Sequence, residues 1–163
     1  MKVRLAALHP APELCQAILA GLPRPFEPGD RLELRLSQEP CRDRHRGQVD
    51  AACLVDLLPA PPPGWALLAL TDADLFLPAL THVFGASRLG QGRGLLSWHR
   101  LQQPPELLRP RLLTEAVHEL GHSVGLVHCA VPQCAMHRAL WVESIDLKRP
   151  ELCPACLESL PGR

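Results

Sequence analysis

The chain has 163 residues, 47% of them apolar, which is enough to bury one core, and the expectation is a single domain over residues 1–163. Seventeen basic and seventeen acidic residues cancel, so charge singles out neither nucleic acid nor a membrane surface as a partner. Seven cysteines are an odd number, which speaks against a framework built wholly of disulfides.

The opening Met1-Lys2-Val3-Arg4-Leu5-Ala6-Ala7-Leu8 starts like an export signal, but His9, Pro10, Pro12 and Glu13 cut its apolar run short. No stretch approaches the roughly 20 apolar residues that span a bilayer. The expectation is a soluble, cytoplasmic monomer. Lys2 to Leu8 reads as a strand, and Pro10 and Pro12 mark the turn into a helix from Ala11 to Leu22. Arg31 to Leu36 alternates strictly, which predicts a half-buried strand with its leucines facing the core.

Val49 to Leu58 suits either a strand or a short helix, and the proline-rich Pro59 to Gly64 reads as a surface connector. Trp65 to Leu70 is a continuous apolar run, as in a central strand, with a second short strand at Leu95 to Trp98. Between them Gly85, Gly90, Gly92 and Gly94 suggest a flexible or bulged edge segment. Phosphate binding there lacks both the glycine-lysine-serine/threonine signature and the strand-to-helix context. Pro104 to Val127 turns helical, with Leu112, Leu113, Ala116, Val117, Leu120 and Val124 on one face. Strands followed by helices point to an α+β fold.

That helix carries His118-Glu119-Leu120-Gly121-His122. Histidines four apart lie on one helical face and can grip one metal ion, while Glu119, rotated by about 100°, can reach a water on that metal as general base. The competing reading is an ordinary helix with two solvent-facing histidines. A third histidine, His128, follows six residues later, with Gly125 midway. Glycine can take the left-handed conformation that ends a helix and turns the chain back, so His128 can complete a three-histidine zinc site with an open position for water. Such a site fits hydrolysis of a peptide bond by Glu-assisted attack of zinc-bound water.

Cys129 and Cys134, then Cys153 and Cys156, have the spacing of a four-thiolate zinc site, closed to water and therefore structural. Two zinc ions per chain are expected, one catalytic and one structural. A redox dithiol at Cys153-Pro154-Ala155-Cys156 competes, without a surrounding βαβ pattern to support it. Cys15, Cys41 and Cys53 are scattered and read as buried, small apolar thiols. His9, His45, His82 and His99 lack partners at ligand spacing, and His137 reads as an ordinary polar residue.

The string from His118 to Cys129, followed by Cys134-Ala135-Met136 and the Cys153/Cys156 pair, resembles the archaemetzincin family of zinc peptidases. Leu70-Thr71-Asp72-Ala73-Asp74-Leu75, Val83-Phe84-Gly85 and Ser97-Trp98-His99-Arg100-Leu101 look like weaker family blocks. The resemblance implies a compact metzincin-like domain with a mixed twisted sheet, an active-site helix and a C-terminal helix. It also implies that Met136 forms a methionine turn, an apolar floor beneath the metal ligands. Asp146 and Lys148 resemble an acidic-lysine pair of the family that fixes the loop before Cys153.

The function expected is that of a zinc metallopeptidase acting on peptides or proteins, as aminopeptidase or endopeptidase. Two alternatives stay open: a non-catalytic zinc-bound interaction module, against which the intact Glu119 argues, and a metallohydrolase of a non-peptide amide.

Overall fold

The structure is a computed structural model describing residues 1–161. The N-terminal strand β1 (Lys2–Ala7) is followed by α1 (Pro12–Gly21) and β2 (Glu27–Glu33), which lies parallel beside β1 at the sheet edge. Helix α1 starts at Pro12, where a proline's missing N–H costs nothing and its fixed φ suits the first turn. The alternating segment pairs four residues earlier than its pattern predicts. Glu33 faces Ala7, the last residue of β1, so beyond it the chain has no partner strand. Leu32, Leu34 and Leu36 still turn inward and pack on the core from an extended segment.

A one-turn helix (Glu39–Cys41), β3 (Arg42–Asp43) and β4 (Gln48–Asp50) lead into α2 (Ala51–Asp56). Val49 to Leu58 is thus strand and helix in succession. Asp50 makes the switch, its carboxylate accepting from the N–H groups of Ala52 at 2.9 Å and Cys53 at 3.1 Å. The β3–β4 hairpin brings Cys41 and Cys53 together, and the two form a disulfide with Cα atoms 5.5 Å apart. This corrects their reading as isolated thiols. The pairing comes from a chain reversal between residues of different elements, which spacing does not reveal. Cys15 is a buried free thiol, as expected.

The apolar run becomes β5 (Trp65–Thr71), central in a five-stranded sheet of order β2-β1-β5-β9-β8, where β9 spans Arg93–Ser97 and β8 spans Gly85–Arg88. A smaller four-stranded sheet joins β3, β4, β6 (Leu75–Leu77) and β7 (Leu80–Val83). β5 is apolar from Trp65 to Leu70 because both its faces are covered. Leu68 and Leu70 meet Ile18 of α1 and residues of the long helix, while Leu67 and Ala69 meet Leu54 and Val55 of α2.

The long helix α3 (Leu108–Ser123) is shorter than its hydrophobic pattern. It begins after a single turn at Pro105–Leu107 and ends at Ser123. The short helices α4 (Val142–Asp146) and α5 (Pro154–Glu158) follow. The glycine-rich segment is an edge segment, as expected, without a bulge against its neighbour: β8 pairs with β9 residue for residue, antiparallel, at the sheet edge beside α3. Among the described residues no helix is long and apolar enough to cross a membrane.

Candidate metal centre and cleft

α3 buries Leu112, Ala116, Val117 and Leu120 against the sheet, which sets His118, Glu119 and His122 along a cleft of about 480 Å³. After Ser123 the helix unwinds. Gly125, at φ 105°, donates to the His122 carbonyl at 2.9 Å, and Leu126 N–H reaches the Gly121 carbonyl at 2.9 Å. This reversal carries His128 back to the two helical histidines. Ring centroids lie 4.6 Å apart for His118 and His122, 5.3 Å for His118 and His128, and 4.8 Å for His122 and His128.

Nδ1 of His118 lies 2.7 Å from the Ala135 carbonyl, and Nδ1 of His122 lies 2.7 Å from the Leu126 carbonyl. A carbonyl only accepts, so each Nδ1 carries the proton and each Nε2 presents a lone pair. Those two Nε2 atoms are 3.1 Å apart. Burial lowers the pKa of all three rings, that of His118 furthest, and keeps them neutral. Three neutral imidazoles converging with their donor atoms within 4.8 Å of one another fit a zinc ion, for which ligand nitrogens about 2.0–2.1 Å from the metal are required.

Glu119 is 4% exposed, and burial pushes its carboxyl up to about 8, against the opposing pull of the Ser87 hydroxyl. A divalent cation beside it would favour the ionised form. Beneath the helix Met136 is fully buried, and a Cβ on Gly121 would lie 2.2 Å from its sulfur. The glycine inside the histidine motif is therefore the seat of the methionine.

Cys129, Cys134, Cys153 and Cys156 also converge, their sulfurs within 4.8 Å of one another. Cys129 to Cys153 and Cys134 to Cys156 are both 3.7 Å apart. That is too long for a disulfide and close to the edge of a tetrahedron with zinc–sulfur bonds of about 2.3 Å, which is about 3.8 Å. Backbone N–H groups of Val131 and Cys153 donate to Cys129 and Cys134 sulfurs at 3.4 and 3.3 Å, as thiolates require. The Cys156 backbone lowers the Cys153 thiol to about 7, whereas burial raises Cys134 and Cys156. A redox dithiol would need Cys153 and Cys156 to pair with each other, and the short sulfur contacts run across the two pairs instead.

Asp146 and Lys148 are not partners of each other. Asp146 takes a two-pronged bond from Arg111 at 2.7 Å, and Lys148, with a fully buried side chain, meets Glu115 at 2.5 Å. Both pairs anchor the C-terminal stretch to α3, so the pattern holds a structural role through a different connection. Lys148 Nζ also reaches the carbonyls of Ala135 and His137 at 3.3 Å, bracing the turn that orients His118. His137 bonds the Cys129 carbonyl through Nδ1 at 2.9 Å. His9 pairs with Asp72 at 2.7 Å, and His82 lines the cleft.

Glu115 and Ser87 were invisible as site residues in the sequence. An acidic side chain on the buried stripe of α3, three residues before His118, was the signal for Glu115. Ser87 bonds Glu119 from β8. At the tip of the β8–β9 hairpin, Gly90 donates to the His122 carbonyl at 3.1 Å and Gly92 to the Ser123 carbonyl at 2.8 Å.

The model of peptidase family M54 matches residues 63–161, which include every donor of both clusters. This chain belongs to peptidase family M54. It is similar to the archaemetzincin of Archaeoglobus fulgidus, 30% identical over 167 residues that cover 98% of this chain and 99% of that protein. The archaemetzincin of Pyrococcus furiosus is 40% identical over 105 residues, so that match covers 60% of this chain and about half, 55%, of the relative. The crystal structure of the Archaeoglobus archaemetzincin, complexed with malonate, superposes with a TM-score of 0.83 at 29% identity over 97% of this chain and 99% of that one. That of Methanopyrus kandleri superposes at 0.81, with 31% identity over 97% and 92%. The α+β, metzincin-like fold and the archaemetzincin family stand on these matches, and by family the chain is a zinc metallopeptidase.

Proposed function

We propose that this archaemetzincin relative hydrolyses peptide bonds with zinc held by His118, His122 and His128 and with Glu119 as general base. The observation that carries the reading is the meeting of three neutral imidazole donors and a buried carboxylate on one wall of one cleft. Zinc bound there supplies Lewis acidity to the attacking water and to the scissile carbonyl. Glu119 takes the proton of that water and returns it to the leaving amine, so no covalent acyl intermediate is needed. Gly125 turns the chain so that His128 joins the other two rings, and Met136 supports the helical ligands from below.

Cys129, Cys134, Cys153 and Cys156 hold a second, structural zinc in this reading, which gives two zinc ions per chain. The chain works as one domain, since β1 from its N-terminus lies in the sheet against β5. Free thiols for the second zinc suit a reducing compartment such as the cytoplasm, whereas the Cys41–Cys53 disulfide needs an oxidant. The partner is a peptide or protein substrate met by a monomer.

The test is digestion of a diverse peptide library by zinc-loaded protein, read by mass spectrometry, beside Glu119→Gln. Cleavage that disappears in the variant supports the reading, and the cut positions distinguish aminopeptidase from endopeptidase. No cleavage by protein carrying two zinc ions sinks it.

A further inference from the structure

A strand places alternate residues on one face, and the face of β8 that bears Gly85 and Ser87 meets the catalytic turn of α3. Ser87 Oγ lies 2.6 Å from Glu119 Oε2 and 2.9 Å from the Glu119 backbone carbonyl. Among the described residues, Ser87 is the one side chain that hydrogen-bonds Glu119. The other carboxylate oxygen rests against Gly85, where a Cβ would stand 2.6 Å from Oε1. Gly94 on β9 keeps the same space clear, since a Cβ there would approach Ser87 Oγ to 2.9 Å. One oxygen is thus bonded by a hydroxyl and the other accommodated by an absent side chain, two residues apart on one strand.

A general base must stand within about 2.6–3.2 Å of the proton it takes, and a glutamate with no partner is spread over several rotamers. Glu115, one turn earlier on α3, gives Glu119 no support because it is bonded to Lys148. We infer that Ser87 is a positioning residue for the general base, holding the Glu119 carboxylate in one orientation within the cleft that both residues line. The inference rests on the reading of Glu119 as the base. The hydroxyl contributes by alignment, which acts on turnover and not on substrate affinity.

The experiment compares zinc-loaded wild type, Ser87→Ala, Ser87→Thr and Glu119→Gln. Ser87→Ala is expected to lower kcat about tenfold while KM, zinc content and Tm stay as in wild type. Ser87→Thr keeps the hydroxyl and stays within about threefold of wild type, and Ser87→Ala adds no loss on the Glu119→Gln background. Unchanged kcat in Ser87→Ala, or a loss that appears in KM or zinc content, overturns the inference. A threonine variant as slow as alanine at unchanged Tm overturns it too.

Crystal structures of zinc-loaded wild type and Ser87→Ala decide the same point without turnover. The carboxylate of Glu119 is expected to shift by about 0.5 Å or more, or to split between orientations, once the hydroxyl is gone. An unmoved carboxylate overturns the inference. Wild-type cleavage by Glu119→Gln would instead remove the base assignment, leaving the crystallographic comparison to decide what Ser87 holds.

Discussion

The histidine and cysteine clusters stand within forty residues of one another in sequence, yet they are supported in different ways. His118 and His122 sit on a helix buried against the sheet, and carbonyls of Ala135 and Leu126 fix their rings. The four cysteines lie on loops and in a five-residue helix, with Cys134 and Cys156 buried in the core and the sulfurs meeting one another and a few backbone N–H groups. Scaffolding therefore comes before metal in one cluster. In the other, the proposed metal would cross-link loop segments, and the Met136 turn joins them through the Cys129 N–H to Met136 carbonyl bond of 2.9 Å.

The sharpest way to break that contrast is to remove one ligand from each cluster. Cys153→Ser is expected to cost several kcal/mol and to lower Tm by about 10 °C or more, with loss of order in the C-terminal stretch. His122→Ala should keep Tm within about 3 °C of wild type while bound zinc, read by elemental analysis, falls by one ion per chain. Equal melting losses would erase the division. Within the histidine cluster, Glu119→Gln should lower kcat by about a factor of a thousand at unchanged zinc content, checked by steady-state kinetics.

Smaller effects test the support beneath the helix. Gly121→Ala places a Cβ 2.2 Å from the Met136 sulfur, so about 2 kcal/mol of stability should be lost, read by denaturant unfolding. If the conflict is local to that contact, adding Met136→Ala recovers part of the loss; a cumulative loss would say that Met136 is not the obstacle. Disulfide reduction comes last. Opening Cys41–Cys53, which closes a separation of 12 residues, should cost about 2–3 kcal/mol and leave both metal clusters loaded, since neither cysteine approaches them. Zinc release on mild reduction would tie the two halves more closely than the contacts do.

Legibility in the sequence followed how local each constraint is. The histidine motif, Gly125 and β5 could be read because a helix turn, a left-handed glycine and a doubly buried strand each write a short-range pattern. β2 was displaced because its limit is set by where β1 ends, information held elsewhere in the chain. The bulge expected in the glycine-rich segment is absent for a related reason. Gly85 and Gly94 leave room for Glu119 and Ser87, whereas Gly90 and Gly92 adopt φ 70° at the hairpin tip, and a glycine kept small for a distant neighbour looks the same in sequence as one kept for a turn. Lys148 was noticed, but its partner Glu115 was not, because the pair spans 33 residues.

The two bonds from Gly90 and Gly92 to the last carbonyls of α3 join a strand turn to a helix terminus. Helix ends ordinarily fray, and a terminus that bears a metal ligand would carry its ligand with it. Here the amides of the hairpin tip are held by carbonyls of the last turn of α3. Opening of the glycine turn is therefore expected to be coupled to that of the helix end that carries His122, and their backbone amides should exchange with deuterium at matched rates.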